Sequence, residues 1–162
     1  MPNKLRKSIA VFTPFAHFLL GGLLHGAPSF DAAALQRPAF LNGIAQLETG
    51  TIDVGRPCAK IGRRGERSAW QISPEVWREY CQAPFTRASS DSRLAAMVAA
   101  AHLEWLRLSL EQKGRPATPY NLALAWNAGL GAVLTGKAPP GAHDYAARAD
   151  ALYESLTRSE AP

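Results

Sequence analysis

Apolar positions along this chain recur at three- and four-residue steps in several stretches, and passages without that rhythm separate them. Phe40, Leu41, Ile44 and Leu47 fall on one helical face, and Gly50 supplies the stop after the last turn. Pro38 suits the first turn of that helix, and Asp31 to Gln36 reads as a short opening helix before it. From Thr51 to Arg67 the rhythm is lost among Gly55, Pro57, Gly62 and Gly65, which predicts a loop with a small hairpin or two irregular strands. Ser73-Pro74 reads as the cap and first-turn proline of a second helix carrying Val76, Trp77 and Tyr80.

Ser89 or Ser90 is the expected cap of the longest segment, Asp91 to Lys113, stopped by Gly114. Its expected stripe is Leu94, Met97, Val98, Ala101, Trp105 and Leu108, broad enough for a central core helix. Thr118-Pro119 opens Tyr120 to Ala128, ended by Gly129. A glycine-rich passage and the loop Lys137 to Gly141 follow, then a last helix, Ala142 to about Thr157, with Tyr145, Ala149, Leu152 and Leu156 inward. The predicted class is mainly α. Five to six helices surround a central one, with an irregular or β insertion between the first and second main helices. At 162 residues this is one domain, without an internal repeat.

One polar residue breaks the first stripe. Glu48 continues the four-residue steps Phe40, Ile44, so it lies on the packing face close to the helix end. Desolvation and the negative end of the helix dipole both favour its protonated form. A carboxyl that keeps its proton beside a loop is what general acid catalysis near neutral pH requires. The competing reading is a glutamate at a frayed helix end, pointing to water.

Charge and cysteines then place the protein. The formal net charge is +5, but Lys4, Arg6 and Lys7 supply three of those charges before the first acid, Asp31, leaving +2 for the body. That is too little for a nucleic-acid binder, which needs a basic face or stripe. MPNKLRK followed by the mostly apolar Ser8 to Leu24, with Ala27 and Ser29 flanking a cleavage point, predicts a secretory signal peptide over residues 1–29 and a mature domain over 30–162. The alternative is an uncleaved anchor. Cys58 and Cys81 make an even pair for an oxidising compartment, and a disulfide between them would stabilise by about 3 kcal/mol; the alternative is two unpaired buried thiols. Their spacing does not suit zinc, and no metal or cofactor is expected. The absence of a Gly-x-Ser-x-Gly elbow disfavours a serine hydrolase.

Three separated segments belong together: Gln46-Leu47-Glu48-Thr49-Gly50, then Gly65 to Pro74 (GERSAWQISP), then Leu124-Ala125-Trp126-Asn127-Ala128-Gly129. In that order and at those distances they resemble the lytic transglycosylases of the lysozyme-like superfamily, bacterial enzymes that cleave peptidoglycan glycan strands. The likeness runs from about Phe40 to Tyr153. It implies an α+β lysozyme-like fold with Glu48 as the catalytic acid and base. It also implies substrate-binding roles for Thr49, Trp70, Gln71, Trp126, Asn127 and Tyr145. Trp126 stands where the family has Tyr, Trp70 where it tends to have Met, Thr49 where it has Ser, and Ser68 where it has Gly.

The expected function is therefore periplasmic or secreted cleavage of the β-1,4 bond between N-acetylmuramic acid and N-acetylglucosamine, giving 1,6-anhydro ends. A lysozyme-type hydrolase, with Asp53 or Glu66 as second carboxylate, is one alternative. A non-catalytic peptidoglycan-binding module, or one recruited by an envelope assembly partner, is another. Residue by residue, plainer roles compete. The four tryptophans and Tyr145 could be core, Gln71 a helix cap or a bridge between loops, His102 structural and His143 exposed. The Lys60 to Arg67 run reads as a solvated loop or as an attractor of anionic envelope polymers.

Overall fold

The computed structural model describes residues 32–159, with side chains from Pro38 onward; the expected signal peptide lies outside them. Within these residues the chain is mainly helical, and no β-strand forms. The helices are α1 (Ala32–Thr49), α2 (Pro74–Tyr80), α3 (Arg87–Ser90), α4 (Ser92–Gln112), α5 (Pro119–Ala128), α6 (Leu130–Thr135) and α7 (Pro140–Ser159).

Local chemistry sets the boundaries. The Ser73 hydroxyl accepts the Val76 N–H at 3.2 Å to open α2, and Thr118 does the same for Asn121 at the start of α5. Each such cap contributes about 1 kcal/mol. The helix α4 is capped by Asp91, whose Oδ1 accepts the Leu94 N–H at 3.1 Å, not by Ser89 or Ser90. Those two serines belong instead to the short α3. Gly50 takes φ +75° and donates its N–H to the Gln46 carbonyl at 2.9 Å, closing α1 in the left-handed conformation open to glycine. The separate opening helix does not exist: α1 runs unbroken through Pro38.

The hub is α4, which packs against α1, α2, α3, α5 and α6. It buries Ala95, Val98, Ala99, Leu103, Leu106 and Leu110. That face is rotated from the expected stripe, and Met97 (66% exposed) and Leu108 (51%) point to solvent. The alanines explain the error. Ala95 and Ala99 carry little hydrophobic signal, yet they bring α4 close to its neighbours, and the larger side chains flank them. The helix α7 lies against α5 and α1 and buries Tyr145, Ala146 and Ala149 there. Ile44, Trp77, Leu106 and Leu110 are among the most deeply buried side chains.

Between α1 and α2 the insertion holds a single antiparallel bridge, Arg67 to Ile72, closed by two N–H···O bonds of 2.9 and 2.7 Å. Ser68 and Gln71, at the two ends of this tip, both have positive φ (+74° and +48°). Buried Ser68 compensates part of that strain by accepting the Trp70 N–H on its hydroxyl at 3.3 Å.

The expected disulfide is absent. Cys58 and Cys81 are both free thiols, each half-buried against the core. Cys58 lies in the insertion, while Cys81 ends α2 with its N–H on the Trp77 carbonyl. Both behave as small apolar fillers. No helix among the described residues is long and apolar enough to cross a membrane.

Candidate active site

The last turn of α1 carries Glu48 to the wall of a cleft of about 380 Å³, within the range of small-molecule sites. Gly62, Arg63, Arg64, Glu66, Gln71, Ile72, Ser73, Val76, His102, Trp126 and Asn127 complete the lining. Three regions distant in sequence thus converge: the end of α1, the insertion with the start of α2, and the middle of α4 with the end of α5.

The Glu48 carboxyl is held from behind. Tyr145, buried on α7, donates its hydroxyl to Glu48 Oε1 at 2.8 Å. Burial raises the Glu48 pKa above its ordinary 4.5; the Tyr145 hydrogen bond pulls it down, nearby Glu66 pushes it up, and Lys60 pulls it down. The Lys60 ammonium does not pair with the carboxylate. It donates to the Glu48 backbone carbonyl at 2.9 Å, answering the negative end of the α1 dipole. The phenol, squeezed by burial and facing a carboxylate, has its own pKa driven upward, so Tyr145 remains a donor.

Tyr145 is therefore a positioning residue beneath the acid, and not the substrate contact expected from the sequence. Replacing it with Phe removes a bond that favours the charged form, so the Glu48 pKa rises further. Any activity that depends on protonated Glu48 should then persist to higher pH and fall by up to about a hundredfold, because the carboxyl is no longer held in place. A pH–rate profile of both proteins reads the two effects separately.

Gln71, Trp126 and Asn127 do line the cleft. Gln71 also bridges loops, its Nε2 donating to the Ser68 carbonyl at 3.0 Å and the Lys60 carbonyl at 3.4 Å. Its Oε1 and Glu66 Oε2 both crowd over Gly62, where a Cβ would collide with them. Two other expected contacts fail. Trp70 is 2% exposed and donates its indole N–H to the Leu41 carbonyl at 3.0 Å, so it is core. Thr49 turns its hydroxyl back to the Ala45 carbonyl at 3.0 Å, to Ala69 and to Thr51, as a short hydroxyl at a helix end tends to do. Of the candidate second carboxylates, Glu66 lines the cleft, whereas Asp53 pairs with Arg56 in an exposed loop.

His102, expected from the sequence to be structural, packs among aromatic rings and also lines the cleft. Its ring stacks on Trp105 (centroids 5.6 Å) and meets Trp126 (5.3 Å) and Tyr80 (6.0 Å) edge-on. The one signal was its place a single helical turn from Trp105. Burial lowers its pKa to about 4, which keeps this wall uncharged. A depressed histidine stabilises the fold above its unfolded pKa of 6.5, and that contribution is lost as pH falls toward 4. The loss should approach roughly 3 kcal/mol. His102→Phe should remove most of this pH dependence, as read by urea denaturation at pH 7 and pH 4.

No family model, curated protein or solved structure matches this chain.

Proposed function

We propose that this chain is an exported peptidoglycan-cleaving enzyme of the lytic transglycosylase kind, on a lysozyme-like fold, with Glu48 as its single acid and base. The observation that carries the reading is the half-buried Glu48 carboxyl at a cleft wall, its pKa raised by burial and its orientation set by Tyr145. In the first step Glu48 gives its proton to the glycosidic oxygen as the C1–O4 bond breaks. The muramic acid's own 6-hydroxyl then bonds to C1, and the Glu48 carboxylate takes the hydroxyl proton. The acid is regenerated and no water is consumed. Trp126 and Asn127 serve as an apolar face and a hydrogen-bonding end for the sugar rings, with Gln71 across the cleft.

Glu66 favours a second reading. It faces the same cleft and, in a hydrolase, could activate water or stabilise the cation. Mass spectrometry of fragments released from purified peptidoglycan tests both, because hydrolysis adds one water that the anhydro product lacks. Anhydro ends support the first reading and reducing ends the second. Release of no fragments overturns both and leaves a binding module.

A further inference from the structure

The turn from Gly62 to Glu66 carries two cationic side chains on the cleft lining, and neither guanidinium forms an ion pair, although Glu48 and Glu66 line the same cleft. The Gly65 N–H donates to the Gly62 carbonyl at 3.1 Å, which places Arg63 and Arg64 at the two corners of the turn. Gly65 takes φ +86°, open to glycine, and the Gly62 N–H closes on the Glu66 carbonyl at 2.9 Å. Glu66 is the nearest acid in sequence, but its Oε2 accepts the backbone N–H of Arg64 at 2.9 Å. Elsewhere among the described residues Arg56, Arg78, Arg87, Arg107 and Arg158 each pair with an Asp or Glu at 3.7 Å or less, while Arg93, Arg115 and Arg148 form no ion pair but lie outside the cleft lining. Arg67, next along, donates to the Ser89 hydroxyl and lies over the Phe85 ring. Arg63 and Arg64 make no such pair. A backbone-braced turn therefore offers two free guanidinium groups beside Glu48, Trp126 and Asn127.

We infer that Arg63 and Arg64 determine specificity by binding a carboxylate that hangs from the glycan, so that the protein takes anionic strands over uncharged β-1,4 oligomers of N-acetylglucosamine. The inference rests on the glycan-cleaving reading above and adds the two residues that would grip the carboxylate of its substrate. Both polymers share one sugar backbone. Only muramic acid carries a lactyl group, whose carboxylate is free in peptide-free strands and extends into a carboxylate-bearing peptide in intact ones. Guanidinium suits this task because it stays charged and meets a carboxylate through two parallel hydrogen bonds. His102 adds no charge to the opposite wall, so the cleft's positive charge is confined to the turn.

The test measures affinities on the Glu48→Gln protein, which leaves the strands intact during binding. Three probes are used: chitotetraose, peptide-free glycan strands with free lactyl groups, and peptide-bearing strands. At low salt at least one charged probe should bind about tenfold more tightly than chitotetraose, and that preference should collapse in 0.5 M salt. Adding Arg63→Gln and Arg64→Gln should bring the ratio close to one, and the charged probe with the larger loss identifies the source of the carboxylate. A preference that survives both substitutions, or equal binding of charged and neutral probes, overturns the inference and leaves the glycan reading standing. Binding of none of the three, with no fragments released by the wild type, overturns both.

Discussion

Glutamine at position 48 should lower the release of fragments from purified peptidoglycan by about a thousandfold or more, while the fold becomes as stable as the wild type or more so. The amide preserves the shape of the side chain and can still accept from Tyr145, but it cannot deliver a proton to a leaving oxygen or take one back. General acid–base catalysis contributes roughly 10²–10⁴-fold for one proton transfer, and in the proposed mechanism one group serves both transfers. Stability moves the other way because the carboxyl is held above its ordinary pKa of 4.5. A group with a raised folded pKa supports the fold fully below its unfolded value, and that support is lost as pH rises through the folded value. The thermal advantage of Glu48→Gln should therefore be small at pH 4 and larger at pH 7. Undiminished fragment release by the variant would remove Glu48 from the chemistry. A melting temperature that falls equally at both pH values would show that its burial is not what shifts it.

The contrast between Glu48 and Trp70 shows how far the sequence could be read. The steps Phe40, Ile44, Glu48 placed the acid on a packing face, and the structure finds Phe40 4% and Ile44 0% exposed, with Glu48 half-buried beyond them. Helical period and a left-handed Gly50 suffice for that, because both act within a few residues. The caps at Ser73 and Thr118 were legible for the same reason. What escaped depends on long-range packing. Tyr145 lies 97 residues from the carboxyl it orients, and nothing in its local pattern distinguishes a positioning phenol from a core phenol. Trp70 sits beside Gln71 in sequence and shares the expectation of substrate contact, but the Arg67–Ile72 tip turns the two side chains to opposite fates. Backbone at Ser68 and Gln71 with positive φ breaks the simple alternation on which adjacency arguments rely. The paired cysteines failed by the same logic, since an even count says nothing about where two segments lie.

Trp70→Ala should accordingly unfold the protein or lower its melting temperature by about 10–20 °C, and should do so without any ligand present. The indole is 2% exposed, and its N–H satisfies the Leu41 carbonyl on α1 from the tip of the insertion. Truncation leaves a cavity, for which Trp→Ala losses run at roughly 3–5 kcal/mol, and it removes the indole hydrogen bond from Trp70 to the Leu41 carbonyl of α1. Against a total stability of about 5–15 kcal/mol, that is a large share. The site would suffer through position alone, because Trp70 anchors the tip that presents Gln71 to the cleft. Trp126→Ala is the matched comparison. That ring is half-buried on the cleft wall against His102, so its removal should weaken glycan binding severalfold at a modest cost in stability. Circular-dichroism melts and chitotetraose titrations on the two variants separate the cases. A Trp70→Ala protein that melts like wild type but has lost sugar affinity would return that residue to the cleft. The reverse is expected: the first tryptophan fixes where α1 meets the insertion, and the second forms part of what that meeting encloses.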